Sequence, residues 1–182
     1  GFNESKRQLF LTANAVRPID RDIYRYDFKT SRVHHLTDDQ KGMLTAKLSS
    51  SGNLLITQLT STSIPRNVKI IDSKGRFVKQ LISSDNPLNG FKLGEVKIGT
   101  IKADDDSTDI FYRLTLPYNF DASRQYPVII YAYNGPHVQL VTNSWYSRTE
   151  LWQQYMATKG YIGFTLDGRG SANRGLKFEN GI

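Results

Sequence analysis

In the first half of the chain, apolar and polar positions alternate in short bursts. Residues 44–48 alternate at period two and 54–59 is a mostly apolar, β-branched run, the pattern of half-buried strands. The pattern continues through 68–71 and 77–81 across Asp72, Ser73, Lys74 and Gly75, a hairpin turn whose glycine can take positive φ. Upstream, 9–13, 23–28 and 33–36 predict three further strands, with Tyr24, Tyr26 and Phe28 on one face. The two groups are copies. At an offset of 45 residues, 9–37 aligns with 54–82 without a gap, with identities at Leu9/Leu54, Thr12/Thr57, Ile19/Ile64, Arg21/Arg66, Asp27/Asp72, Lys29/Lys74, Val33/Val78 and Leu36/Leu81. That period suits a four-stranded propeller blade. A β-sandwich of short strands is the alternative, but it does not require its loops to repeat in register. The expectation for 1–90 is therefore the C-terminal two blades of an antiparallel β-propeller, whose open inner surface calls for more blades.

Ser83 to Gly90 is rich in turn formers and ends the repeat, which places the domain boundary there. Beyond it, 96–101 and 108–116 predict a hairpin around the acidic turn 104–107, read as solvated. Its adjacent Asp residues lack the alternation, the glycine and the terminal Glu of a calcium loop. Residues 128–131 form a short, continuously apolar run, as a strand covered on both faces of a parallel sheet would. A helix is predicted over 149–159, with Leu151, Trp152, Tyr155 and Met156 on one apolar face and Gly160 as its left-handed terminator. Residues 161–166 then give a second buried strand. Strand, loop, helix, strand is the unit of an α/β sheet, so 91–182 is expected to be the N-terminal part of an α/β domain.

At 182 residues, 38% hydrophobic and 12% aromatic, the chain can bury a sizeable core. No apolar run is long enough to span a bilayer as a helix, and no secretion signal opens the chain. The absence of cysteine rules out disulfides and thiolate metal sites. The net charge of +7 lies mostly in residues 1–90, with 14 Lys/Arg against 8 Asp/Glu. Those cations are scattered singly between apolar positions with no interleaved aromatics, so a solvated face is expected and no nucleic-acid partner. His34 and His35, adjacent on a strand, point to opposite faces and cannot jointly grip a metal in the usual way.

Two segments carry chemistry. Residues 126–139 run from a buried strand into a loop holding Tyr133, Asn134, Gly135, Pro136 and His137, and 161–171 run from the next strand into Asp167, Gly168, Arg169, Gly170 and Ser171. Together with residues 117–124, which resemble the family's linker, these segments resemble the dipeptidyl peptidase IV branch of the prolyl oligopeptidase family. The resemblance is good over 117–180 and looser over 9–90. It implies a propeller covering an α/β-hydrolase, and a serine exopeptidase releasing N-terminal dipeptides with Pro or Ala second. No Ser stands in Gly-x-Ser-x-Gly, and the family's catalytic Ser, Asp and His lie further along, so the 182-residue chain is expected to be a fragment that is inactive alone.

In the resembled family, a Tyr before x-Gly-Pro aims its hydroxyl at the developing oxyanion, which makes Tyr133 the candidate catalytic residue. The other reading is a tyrosine capping a strand with its hydroxyl at the rim. Gly135 and Pro136 are read as backbone tools for a sharp turn, while Asn134 stands where the family often has Gly or Ala. Asp167 and Arg169 are read as an internal ion pair bracing that loop, with a direct substrate role as the lesser option. His137 is expected to serve as a loop hydrogen-bonder, since the catalytic His of this fold comes last in the chain. No cofactor and no metal are expected. The resemblance further implies a peptide substrate and a homodimer for the parent, self-association of the fragment through open strand edges, and an exported, periplasmic or envelope location. A related oligopeptidase or acyl-peptide hydrolase, and a non-catalytic binding protein on the same fold, remain alternatives.

Overall fold

A computed structural model describes residues 1–37, 40–133 and 135–181. The chain divides into two compact units: Gly1–Pro87 together with Thr142–Trp145, and Leu88–Val141 together with Tyr146–Ile182.

The first unit holds two four-stranded antiparallel sheets, consistent with propeller blades. One is β1 (Phe2–Asn3), β2 (Gln8–Ala13), β3 (Asp22–Asp27) and β4 (Arg32–His35); the other is β5 (Met43–Leu48), β6 (Leu54–Thr60), β7 (Asn67–Asp72) and β8 (Phe77–Ser83). Each sheet pairs its strands in chain order. The 45-residue offset carries β2 onto β6, β3 onto β7 and β4 onto β8. The repeated Asp27 and Asp72 do the same work in both sheets. Asp27 Oδ1 accepts the backbone N–H of Lys29 (2.9 Å) and Thr30 (3.2 Å). Asp72 Oδ1 accepts those of Lys74 (2.8 Å) and Arg76 (3.0 Å). Each carboxylate thus satisfies the donors of a tight turn. Gly75 sits in the second turn at φ +88, as its place requires.

Phe10, Ile23 and Leu36 of the first sheet and its flank pack with Leu44, Leu55, Leu59 and Ile71 of the second in one buried cluster. The late segment Thr142–Trp145 is tied in by Asn143. Its N–H donates to the Ile19 carbonyl (2.8 Å), and its Nδ2 donates to the buried Asp20 carboxylate (2.8 Å). His35 stacks on Tyr24 with ring centroids 4.5 Å apart, and its Nε2 lies 3.5 Å from Asp22.

The second unit is a four-stranded mixed sheet in the order β11-β12-β10-β9, built from β9 (Val96–Lys102), β10 (Asp109–Thr115), β11 (Val128–Ala132) and β12 (Ile162–Leu166). β11 and β12 run parallel, joined through helix α1 (Arg148–Thr158). The predicted hairpin β9–β10 completes the same sheet, with β10 antiparallel to both β12 and β9. A short helix, α2 (Leu176–Glu179), follows.

Two expectations need correction here. β11 is not covered on both faces: Val128, Ile130 and Tyr131 are exposed, because α1 packs against β12 and β10 and not mainly against β11, which is also the edge strand of the sheet. The apolar stripe of α1 also faces outward. Leu151, Trp152 and Tyr155 are exposed, while Gln153, Gln154 and Ala157 are buried. The polar face can go inward because its amides are satisfied. Gln153 Nε2 donates to Thr165 Oγ1 (2.8 Å), and Gln154 closes a two-way bond with the Gly94 backbone (2.9 and 3.0 Å). Gly160 ends the helix at φ +87, as expected.

Candidate functional site

Tyr133 directly follows β11 and is exposed. Asn134 lies outside the described residues. The Tyr133 ring is folded against Gly135: a Cβ there would sit 2.4 Å from Tyr133 Cε1, so any side chain at 135 would displace the ring. His137 follows at φ +66, and its Nδ1 lies 2.7 Å from Glu179 Oε1. The expected hydrogen-bonding role of His137 thus has a partner.

The far end of the loop is held by Asp167, whose Oδ1 accepts the Leu140 N–H and whose Oδ2 accepts the Val141 N–H, both at 2.8 Å. Burial pushes the Asp167 carboxyl above its ordinary range, opposed by those two N–H groups and by Arg174. The ion pair between Asp167 and Arg169 is not present. The Arg169 guanidinium instead reaches Asp104 (2.8 Å) and Asp105 (2.7 Å) in the β9–β10 turn, so that turn is not simply solvated. The two side chains diverge because Asp167 turns inward onto backbone donors while Arg169 remains partly exposed.

The Thr108 hydroxyl, then the backbone N–H groups of Thr108 and Ser107, and then Arg169 hold the Asp105 carboxyl far below the usual carboxylate range. Its contribution to stability is present above the ordinary aspartate value of ~3.9 and is lost progressively as pH falls from there through the lower folded value. The side-chain carboxyl ¹³C shift of Asp105 is therefore expected to stay flat from neutral pH down to about 3. A midpoint near the ordinary value would mean that this cluster does not form in solution.

Sequence reading missed Arg113 and Glu150. Arg113 is buried on β10 and pairs at 2.8 Å with Glu150 in the first turn of α1. Burial lowers the Arg113 pKa, with Glu150 opposing. Nothing in the local pattern signals a pair between residues so far apart in the chain. Among the described residues, no group of three or more His, Cys, Asp or Glu could hold a metal, and no helix is long and apolar enough to cross a membrane.

No family model matches the chain. Dipeptidyl peptidase 4 of Trichophyton equinum is 26% identical over 186 residues, spanning 97% of this chain and 24% of that protein. A Bacteroides ovatus protein described as a dipeptidyl aminopeptidase IV superposes with a TM-score of 0.89 at 36% identity, over 99% of this chain and 26% of that one. Dipeptidyl peptidase 4 of Porphyromonas gingivalis superposes at 0.83 with 26% identity, over 98% of this chain and 25% of that one. These relatives are dipeptidyl peptidases by name. The resemblance is to the dipeptidyl peptidase IV branch of the prolyl oligopeptidase family, and it extends along nearly the whole chain. The chain spans between 20% and 26% of the length of the relatives it matches.

Proposed function

We propose that this chain is a segment of an exported serine exopeptidase that releases N-terminal dipeptides with Pro or Ala in second position. Residues 1–90 supply the last two blades of its propeller, and 91–182 the start of its α/β-hydrolase domain. The observation that carries this reading is the likeness to dipeptidyl peptidases along nearly the whole chain, together with an exposed Tyr133 on a loop whose far end is held by Asp167. On this reading, a Ser supplied by the full-length protein attacks the peptide carbonyl, a His carries the proton and an Asp orients the His. The Tyr133 hydroxyl then donates to the oxygen on which negative charge develops.

The test is hydrolysis by the full-length protein of a chromogenic Ala-Pro anilide, compared with the same substrate blocked at its amino terminus. Release of intact dipeptide from the free substrate alone supports the reading. Equal cleavage of the blocked substrate favours an oligopeptidase or acyl-peptide hydrolase, and no cleavage of either favours a binding protein. The full-length protein is read as a homodimer. The 182-residue chain by itself is expected to be inactive and to self-associate, because β8 and β11 are edge strands with exposed Phe77, Val78, Val128 and Ile130. A concentration-independent monomer in sedimentation velocity would refute the self-association.

A further inference from the structure

His137 occupies the left-handed region at φ +66, which a residue with a Cβ adopts at a cost and keeps only where its surroundings enforce it. Its side chain meets Glu179, with Nδ1 2.7 Å from Oε1. The His137 side chain is 82% exposed and that of Glu179 is 20% exposed, so the pair ties an open loop to a better-buried anchor.

That anchor is itself fixed. Gly170 N donates to the Phe178 carbonyl (3.0 Å), and the Arg174 guanidinium lies 3.9 Å from the centre of the Phe178 ring. Arg174 Nη1 also donates to the Asp109 carbonyl on β10. The same segment holds the loop twice more, through Ala172 N to the Val138 carbonyl (3.1 Å) and Asn173 Nδ2 to Gln139 Oε1 (2.9 Å). An exposed ion pair contributes little to stability. Its effect here is on geometry, because His137 follows Gly135 and Pro136, and Gly135 touches the Tyr133 ring.

We infer that Glu179 is a positioning residue for Tyr133, acting through His137 to hold the loop so that the tyrosine hydroxyl stays on the oxyanion. This rests on the reading of Tyr133 as the oxyanion donor. Glu179 needs no contact with substrate, and the sensitivity follows from the donor's task. A displacement of about 1 Å in a catalytic group can cost up to about a hundredfold in rate.

The experiment uses the full-length peptidase. Glu179→Ala is expected to lower kcat about tenfold with KM and thermal midpoint unchanged. Glu179→Gln, whose amide oxygen can still accept from Nδ1–H, recovers most of that loss. In a Tyr133→Phe background, Glu179→Ala has no further effect. An undiminished kcat in Glu179→Ala overturns the inference, as does the same fold loss in both backgrounds. If Glu179→Ala lowers the thermal midpoint, His137→Ala cuts the same pair from its exposed side and must reproduce the kcat loss; otherwise the inference falls. Wild-type turnover in Tyr133→Phe would remove the reading beneath it as well. A slow Tyr133→Phe beside an unimpaired Glu179→Ala would remove the inference alone.

Discussion

If Tyr133 is the proposed oxyanion donor, Tyr133→Phe in the full-length protein is expected to lower kcat and kcat/KM together by two to three decades while leaving the fold intact. A preorganised donor to an oxyanion is worth roughly 3 to 4 kcal/mol because it meets charge that exists in the transition state and not in the bound substrate. Equal losses in kcat and kcat/KM mark an interaction made only there. Stability should not change, since phenylalanine keeps the ring that lies against Gly135 and the side chain is exposed. Steady-state kinetics beside a thermal melt separates the two effects. A rise in KM with kcat preserved would make Tyr133 a substrate contact instead, and wild-type turnover would return it to the rim of a strand.

Glu150→Ala should destabilise the second unit by about 3–5 kcal/mol, because it strands a buried guanidinium without its carboxylate. Arg113 has a side chain 2% exposed and Glu150 one 14% exposed, with Nη1 and Oε1 2.8 Å apart. Glu150 also caps its own helix. Its Oε2 accepts the Ser147 N–H at 2.9 Å, and the helix start loses that bond too, which adds about 1 kcal/mol. Glu150→Gln keeps the reach to Ser147 and loses the charge, so it should fall between wild type and Glu150→Ala. Adding Arg113→Met to Glu150→Ala removes the stranded charge and should recover stability. Urea unfolding in a Trp145→Phe background, which removes the tryptophan of the first unit, leaves the fluorescence of Trp152 on α1 to read the second unit. A loss below about 1 kcal/mol would place the pair with ordinary surface bridges.

Local pattern reached some of this architecture and stopped at identifiable points. The offset of 45 residues was legible because the two sheets repeat the same strands, and Asp27 and Asp72 are identical since both accept the backbone N–H two residues on. β1 escaped notice because two residues cannot show a period. The spacing of Leu151, Trp152 and Tyr155 located α1 within a residue at each end but did not say which side faces the sheet. That depends on Gln154 meeting Gly94, a partner 60 residues away. The proximity of Asp167 and Arg169 suggested a pair. Both instead reach across the fold, to Leu140 and Val141 and to Asp104 and Asp105. Glu179 and His137, 42 residues apart, carry no mutual signature in sequence.

The place of Asn143 in the first unit sets an order of events during synthesis. A ribosome that has released residues 1–90 has delivered both four-stranded sheets but not the amide that meets Asp20, 123 positions earlier in the chain. Closing so long a loop is slow relative to hairpin formation. Until residue 143 leaves the exit tunnel, the Ile19 carbonyl and the Asp20 carboxylate must make do with water or Arg17. The nascent sheets therefore complete their last polar contacts only after the β9–β10 hairpin and β11 have been made. A gene cut at the apparent boundary near residue 90 would express a first unit lacking that final clasp.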